Sequence, residues 1–126
     1  MLFQSVNLKE YYLYHQKCDL LLQEHEIRFA CFLDGMGNLI AGGFKEGVTP
    51  LHDESERHKL HIETVLRAKT EQEFDYDLGK VEYSASRRKK VITYTFDLDD
   101  KILFVSSEPN VDIEKTAQKI IKICGI

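Results

Sequence analysis

The sequence predicts a mixed α/β fold of the α+β type: a five-stranded antiparallel sheet, in the order α-β-β-α-β-β-β-α, with helices on both faces. The stretch Val91–Ser107 (VITYTFDLDDKILFVSS) supports this most directly, because two runs rich in β-branched and aromatic residues flank a short polar break, as in a hairpin. The second run, Ile102–Val105, is apolar at every position and predicts a strand covered on both faces. In the first run, Ile92, Tyr94 and Phe96 share one face.

The first helix and the first hairpin are predicted in the N-terminal third of the chain. Asn7 followed by Glu10 is typical of a helix cap, and apolar residues recur at helical spacing over residues 8–25. The expected buried face of this helix is Leu8, Tyr11, His15, Cys18 and Leu22. Strands are predicted at residues 27–33 and 39–44, joined by the turn DGMGN, and the glycine pair in the second strand leaves room for a close neighbour.

The second helix is predicted to begin at Thr49-Pro50, since threonine caps helices and proline suits the first turn. It should end near Thr70, and its expected buried face is Leu51, His58, Ile62, Val65 and Leu66. The acidic residues 71–79 have no clear period and predict an irregular connection. Strand three is predicted at Val81–Ser86, followed by a basic turn at Arg87–Lys90.

The last helix is predicted after Asp112, which can act as its cap. Its expected apolar face is Ile113, Ala117, Ile120, Ile121 and Cys124. At 126 residues, with 43% hydrophobic residues and no internal repeat, the chain is expected to form one domain spanning residues 1–126.

Composition excludes several classes of protein. The formal net charge of −4 argues against nucleic-acid binding, which needs a basic surface. No apolar run approaches the roughly 20 residues that cross a bilayer, so no membrane association is expected. The N-terminal residues lack the features of a secretory signal, and the three cysteines form no CxxC pair. Reduced thiols in the cytoplasm are therefore expected.

The order and spacing of the elements resemble the roadblock/LC7 family, within the profilin-like and longin-like group. The resemblance rests on the Asp34-Gly35 turn, the Leu39-Ile40-Ala41 return and the Lys101–Val105 strand before the last helix. The stretch Gly79–Pro109 is also similar to uncharacterised small proteins of ammonia-oxidising archaea. The roadblock resemblance implies a homodimeric platform for small GTPases or other proteins.

A self-association surface is predicted at strand three, because a short strand after a long connection is expected at a sheet edge. Two copies could pair there about a two-fold axis, with the second helix alongside. The predicted dimer interface is Val81, Tyr83, Ala85, Ile62 and Val65. The basic turn is a candidate anion contact, although a solvated turn is the favoured interpretation, and its residues are Arg87, Arg88, Lys89 and Lys90.

No catalytic constellation is evident, so a non-enzymatic interaction module is the leading hypothesis. The cluster of His52, His58 and His61 lacks the three or four convergent ligands of a zinc site, so neither a metal nor another cofactor is expected. Cys31 is interpreted as a small core residue. The alternative hypothesis is a PAS- or GAF-like small-molecule sensor, which would contain a cavity of at least a few hundred Å³ between sheet and helices.

Overall fold

A computed structural model describes residues 7–126 of the chain. The expectation that no secretory signal is present concerns residues 1–6 as well, and these lie outside the described residues. The helices and strands are α1 (Leu8–Leu22), β1 (Ile27–Leu33), β2 (Leu39–Phe44), α2 (Glu54–Gln72), α3 (Asp75–Leu78), β3 (Ser84–Arg87), β4 (Ile92–Asp97), β5 (Ile102–Ser107) and α4 (Ile113–Cys124).

The strands form one antiparallel sheet in the order β2-β1-β5-β4-β3. β5 lies at its centre, and all six of its residues are buried, since helices cover both faces at this position. In β4, Ile92, Tyr94 and Phe96 are at most 1% exposed and alternate with half-exposed residues. The predicted fold class and the central β4–β5 hairpin are confirmed.

The two faces of the sheet are covered unequally. On one face, α1 and α4 pack over a large cluster that includes Cys18, Phe32, Tyr94 and Ile120. On the other face, α2 alone packs over a smaller cluster. That cluster consists of Phe29, Cys31, Leu33, Val65, Ala68, Ile102 and Phe104. The single helix lies over β1 and β5, because those two strands supply all the sheet residues of the smaller cluster.

Gly42 allows β2 to lie directly under α1. Its φ is +103°, and a Cβ built there would be 2.1 Å from the Ala30 carbonyl oxygen and 2.9 Å from the Cys18 Sγ. Only glycine fits such a position, since any side chain would overlap backbone atoms of β1. The expectation of a close approach at this glycine pair is confirmed for Gly42.

Two of the three predicted helix caps are confirmed, and one is wrong. Asn7 accepts the Glu10 N–H, and Asp112 accepts the Lys115 N–H. The cap of α2 is Asp53, which accepts the Glu56 N–H at 2.8 Å, so this helix does not begin at Thr49-Pro50. A carboxylate is favoured there because it also interacts with the positive end of the helix dipole.

The predicted faces of the first two helices need correction. Leu8 is 83% exposed on α1, which ends at Leu22 rather than His25, and the residues buried on this helix are Cys18 and Leu21. On α2, Leu51 precedes the helix, His58, Ile62 and Leu66 are exposed, and only Val65 of the predicted face is buried. The buried stripe of α2 is His61, Thr64, Val65 and Ala68. Because this buried stripe consists largely of small and polar residues, the apolar residues of α2 do not mark its buried face.

The connection before β3 also differs from its prediction. Residues 75–78 form the short helix α3 instead of an irregular segment. The third strand is Ser84–Arg87, not Val81–Ser86. Tyr83 lies outside it, where the Tyr83 ring is 6.0 Å from the Phe96 ring and the Tyr83 hydroxyl donates to the Glu114 carboxylate of α4.

Candidate interaction surface and basic pocket

β3 forms one edge of the sheet. It pairs with β4 alone, from Ser84 opposite Thr95 to Arg87 opposite Ile92, and within residues 7–126 no strand pairs with its outer side. An unpaired strand edge presents a row of backbone donors and acceptors that another chain can satisfy. The edge position of this strand, inferred from its short length, is therefore confirmed.

The turn after β3 determines which of its N–H groups face outward. Arg88 donates its N–H to the Val91 carbonyl at 2.9 Å, closing the hairpin. Residues in an antiparallel pair alternate between bonding inward and bonding outward. Every second residue before Arg88 therefore bonds toward β4, and these residues are Ser86 and Ser84. The N–H groups of Ala85 and Arg87 face away from the sheet.

A shelf of small hydroxyl residues lies beside this edge, on the face that α2 covers. The shelf residues are half-exposed: Ser84, Ser86, Thr93 and Thr95. They share a face with the buried Phe104, because Thr95 is paired with Phe104 across β4 and β5. Together with one flank of α2, they border a narrow groove, and the helix residues in this groove are Leu60, Glu63, Thr64 and Arg67. In this groove, α2 covers the β3 and β4 residues only in part, although the Ser84 hydroxyl donates to the Glu71 carboxylate of the helix at 3.3 Å.

The structure separates the five residues predicted for a dimer interface. Tyr83 packs toward α4, and Ala85, paired with Tyr94, has its side chain on the same opposite face. Val65 is 4% exposed and packs in the core beneath α2. Ile62 is 38% exposed, but it lies against the β1–β2 turn, where a Cβ on Gly37 would be 3.0 Å from its Cγ1. The fifth residue, Val81, precedes β3 and is half-buried.

The basic turn after β3 forms one wall of a pocket of about 440 Å³ on the α2 face. Arg88, Lys89 and Lys90 line it, together with Arg28 of β1 and Arg57 of α2. Arg87 is directed elsewhere, because its guanidinium donates to the Pro109 carbonyl at 2.7 Å and to the Val111 carbonyl at 3.1 Å. The structure thus brings together three of the four residues of the candidate anion contact.

Arg28 and Arg57 were missed by sequence reasoning. They lie far from the basic turn in sequence, and no local pattern connects the three segments. Arg28 is held by Glu108, at 3.2 Å, and by the Thr49 carbonyl. Arg57 donates to the His52 carbonyl at 3.3 Å, and its guanidinium carbon is 5.0 Å from the centroid of the Phe44 ring, a cation–π contact.

The three histidines lie in different environments. His61 is 3% exposed and packs against the rings of Phe29 and Phe104. Burial, helped by the charges of Arg57 and His58, lowers the pKa of His61 to about 4, so its imidazole is neutral at physiological pH. His52 lines the pocket and His58 is exposed. Among residues 7–126, no group of three or more His, Cys, Asp or Glu residues could hold a metal ion.

Cys31 lies in β1, beneath α2, and is fully buried. Burial raises the pKa of its thiol well above the ordinary value, so the nucleophilic thiolate is not formed at neutral pH. Burial likewise raises the pKa of Cys18 to about 12 and that of Cys124 to about 11. All three cysteines are free and act as apolar core residues.

In the part of the chain that the structure describes, no helix combines the length and the apolar character needed to cross a membrane.

Comparison with known proteins identifies both a family and a fold. The family model that matches is described as "Family of unknown function (DUF6659)" and covers residues 3–126. No curated protein sequence matches the chain. The resemblance of residues 79–109 to archaeal proteins stays a prediction.

Several solved structures share the fold. MglB of Myxococcus xanthus superposes with a TM-score of 0.73 at 14% identity, covering 97% of this chain and 90% of MglB. The gliding protein MglB of Thermus thermophilus gives a TM-score of 0.70 at 11% identity, covering 98% and 96% of the two chains. A roadblock/LC7 domain from Streptomyces avermitilis gives 0.66 at 10% identity, covering 88% and 91%. The roadblock/LC7 resemblance predicted from the sequence is confirmed as a resemblance of fold.

Proposed function

The chain belongs to the DUF6659 family of unknown function, and from its roadblock/LC7 fold we propose that it is a non-enzymatic protein-interaction module that works as a homodimer. The observation that carries the proposal is the partly covered shelf beside the free edge of β3. A second copy of the chain supplies what is missing at both places: a strand for the edge and a helix for the shelf.

The proposed dimer has two-fold symmetry. The β3 strands of two copies pair antiparallel through the outward N–H groups of Ala85 and Arg87, and this joins the two sheets. The α2 helix of each copy then lies near the shelf of the other. On its shelf-facing flank, α2 carries Glu63 and Arg67, whose side chains are 2.6 Å apart. Across a two-fold axis, the Glu63 carboxylate of one copy can face the Arg67 guanidinium of the other, so the two helices are complementary in charge.

One solved structure with this fold is described as MglB in a tetrameric arrangement, which supports self-association as a use of the fold. We propose that the dimer then acts as a platform for a second protein. A small GTPase is the partner class that the roadblock resemblance suggests. The three free, buried cysteines suit a reducing compartment, so the cytoplasm is the proposed location.

The oligomeric state tests the proposal directly. Light scattering after gel filtration, and sedimentation at several concentrations, should show a dimer for the wild-type chain. Ala85→Pro removes an outward N–H without removing a bond to β4, so it should weaken the dimer while the monomer stays folded. A wild-type chain that stays monomeric at high micromolar concentration would refute the proposal.

A charge exchange tests the orientation of the two helices. Arg67→Glu places two carboxylates on the shelf-facing flank, and it should weaken the dimer by about tenfold or more. The double variant Glu63→Arg with Arg67→Glu restores opposite charges and should recover the dimer. Lys59→Glu, on the same helix but paired with Glu56 away from the groove, serves as the matched control. Equal weakening by the control would contradict the proposed orientation.

A further inference from the structure

The basic pocket between α2 and the β3–β4 turn has an unbalanced charge. Five cationic side chains line it: Arg28, Arg57, Arg88, Lys89 and Lys90. None of the described residues that line it is Asp or Glu. Within residues 7–126, only Arg28 of the five has a carboxylate within ion-pair distance. Such a concentration of positive charge contrasts with the net charge of −4 of the whole chain and attracts anions.

Much of the remaining pocket wall is apolar, alongside the polar residues His52, His61, Thr93 and Ser106. Phe44, Leu51, Leu60 and Val91 contribute surface that is not fully buried, and Phe29 and Phe104 lie beneath them. The volume of about 440 Å³ lies within the usual range of sites for small organic molecules, roughly 300–1,000 Å³. A free inorganic ion would use the cationic wall and leave the apolar wall in contact with water.

His61 adds an independent observation. It lines the pocket from α2 and is buried, and its Nε2 atom has no hydrogen-bond partner among the described residues. A buried polar atom without a partner is unfavourable, and such atoms are uncommon in folded proteins. Because this atom has almost no exposed surface, a bound molecule would satisfy it only by reaching it from the pocket. The neutral imidazole can either donate or accept at this atom, depending on its tautomer.

From this geometry we infer that the pocket is a binding site for an organic phosphate that carries an apolar or aromatic ring. The phosphate group lies between Arg57 of α2 and Arg88 of the β3–β4 turn, where guanidinium groups can form paired hydrogen bonds to its oxygens. The ring lies against Phe44 and Leu60. This site is distinct from the outward edge of β3, so the inference does not rest on the proposed dimer.

The test uses 1-naphthyl phosphate as the probe, in calorimetric titration of the full chain. One molecule should bind per chain, more tightly than either inorganic phosphate or 1-naphthol, since each of these carries only one of the two recognised groups. Affinity should fall as sodium chloride rises from about 0.05 to 0.5 M, because exposed charges are screened. If inorganic phosphate binds as tightly as the probe, the inferred role of the apolar wall is wrong.

Neighbouring cationic residues provide matched controls. Arg57→Gln and Arg88→Gln should each weaken binding of the probe by about tenfold or more, since each removes a charge-assisted hydrogen bond. Lys59→Gln and Arg87→Gln, which alter cations outside the pocket, should leave the affinity within about twofold. Thermal unfolding of each variant identifies any loss of fold. The inference is overturned if the probe does not bind at millimolar concentration, or if the pocket variants and the controls lose affinity equally.

Discussion

The hydroxyl of Tyr94 lies 3.0 Å from the hydroxyl of Ser107, inside the central hairpin, and both residues are 0% exposed. Ser107 donates in turn to the Glu108 carbonyl at 3.0 Å, so Tyr94 is the donor in the first bond. The two hydroxyls therefore form a short chain of hydrogen bonds that ends on the backbone. This arrangement satisfies polar groups buried beneath α1 and α4.

Removing the Tyr94 hydroxyl and removing the Ser107 hydroxyl should have different effects on stability. Tyr94→Phe removes the donor and leaves Ser107 bonded to Glu108, so it should cost about 1 kcal/mol of unfolding free energy. Ser107→Ala leaves a buried tyrosine hydroxyl without a partner and should cost about 1–3 kcal/mol. Urea unfolding of both variants, with unchanged denaturant dependence, measures the difference. A smaller loss for Ser107→Ala than for Tyr94→Phe would contradict the role of Ser107 as the partner of the Tyr94 hydroxyl.

Phe104 should be among the most sensitive core positions. It is 4% exposed and packs beneath α2 against Phe29 and His61, so Phe104→Ala should cost on the order of 3–5 kcal/mol. Phe74→Ala is the matched control, because Phe74 is 51% exposed after α2 and its loss should change stability by less than about 0.5 kcal/mol. A loss below about 1 kcal/mol for Phe104→Ala would be incompatible with a central β5 strand.

Lys119 of α4 should stabilise the fold through Glu26. Its ammonium donates to the Glu26 carboxylate at 2.8 Å and lies 3.2 Å from Glu24. Burial is the largest single influence and would raise the pKa of Glu26, but the hydrogen bond from Lys119, a backbone hydrogen bond and the charges of Lys119 and His25 together outweigh it and lower the pKa. A carboxyl whose pKa is lowered by folding stabilises the folded chain at pH values above its ordinary pKa. This contribution is lost as the pH falls through the pKa of the folded state.

Lys119→Met should therefore destabilise the chain at neutral pH, since it leaves a buried carboxylate without its cation. The deficit relative to wild type should shrink in acid, where Glu26 is protonated. Chemical unfolding of both proteins from neutral to acidic pH measures this deficit. Lys115→Met, on the same helix and without an ion pair in the described residues, is the control. A deficit independent of pH would show that lost packing, and not the ion pair, is responsible.

His61 should make stability depend on pH in mildly acidic solution. Its folded pKa of about 4 lies below its ordinary value of 6.5, so between these values the unfolded chain binds a proton that the folded chain does not. The contribution of His61 to the free energy of unfolding is thus fully present above pH 6.5. It declines as the pH falls toward 4, by on the order of 3 kcal/mol. His61→Phe should flatten this decline, whereas His58→Gln, at an exposed position, should not. Equal slopes in all three proteins would exclude His61 as the cause.

The sequence predicts the strands of this fold better than its surfaces. Alternation along β4 and the unbroken apolar run of β5 reveal the central hairpin, because each follows from local burial. The face of α2 could not be predicted, since His61 and Thr64 are buried while Leu66 is 58% exposed. Thr64 is tolerated there because its hydroxyl donates to the Leu60 carbonyl at 2.8 Å.

The candidate sites depend on contacts between distant segments. The basic turn was evident in the sequence, but its pocket requires Arg28 from β1 and Arg57 from α2. The sequence also does not reveal the direction of each side chain in the turn. Arg87 and Arg88 are neighbours in sequence, but they contact different parts of the molecule. The shelf beside β3 is visible only when Thr93 and Thr95 are placed beside Ser84 and Ser86 in the sheet.

The pocket and the groove beside β3 have a common boundary, where Leu60, Arg88, Thr93 and Phe104 line both. If both proposals hold, a molecule in one space touches side chains that border the other, and we expect the two binding events to be thermodynamically linked. Linkage is reciprocal: whatever factor a bound phosphate imposes on dimer affinity, dimerisation imposes the same factor on phosphate affinity. A metabolite of this class would then act as an effector of assembly, and protein concentration would in turn set the sensitivity to that metabolite.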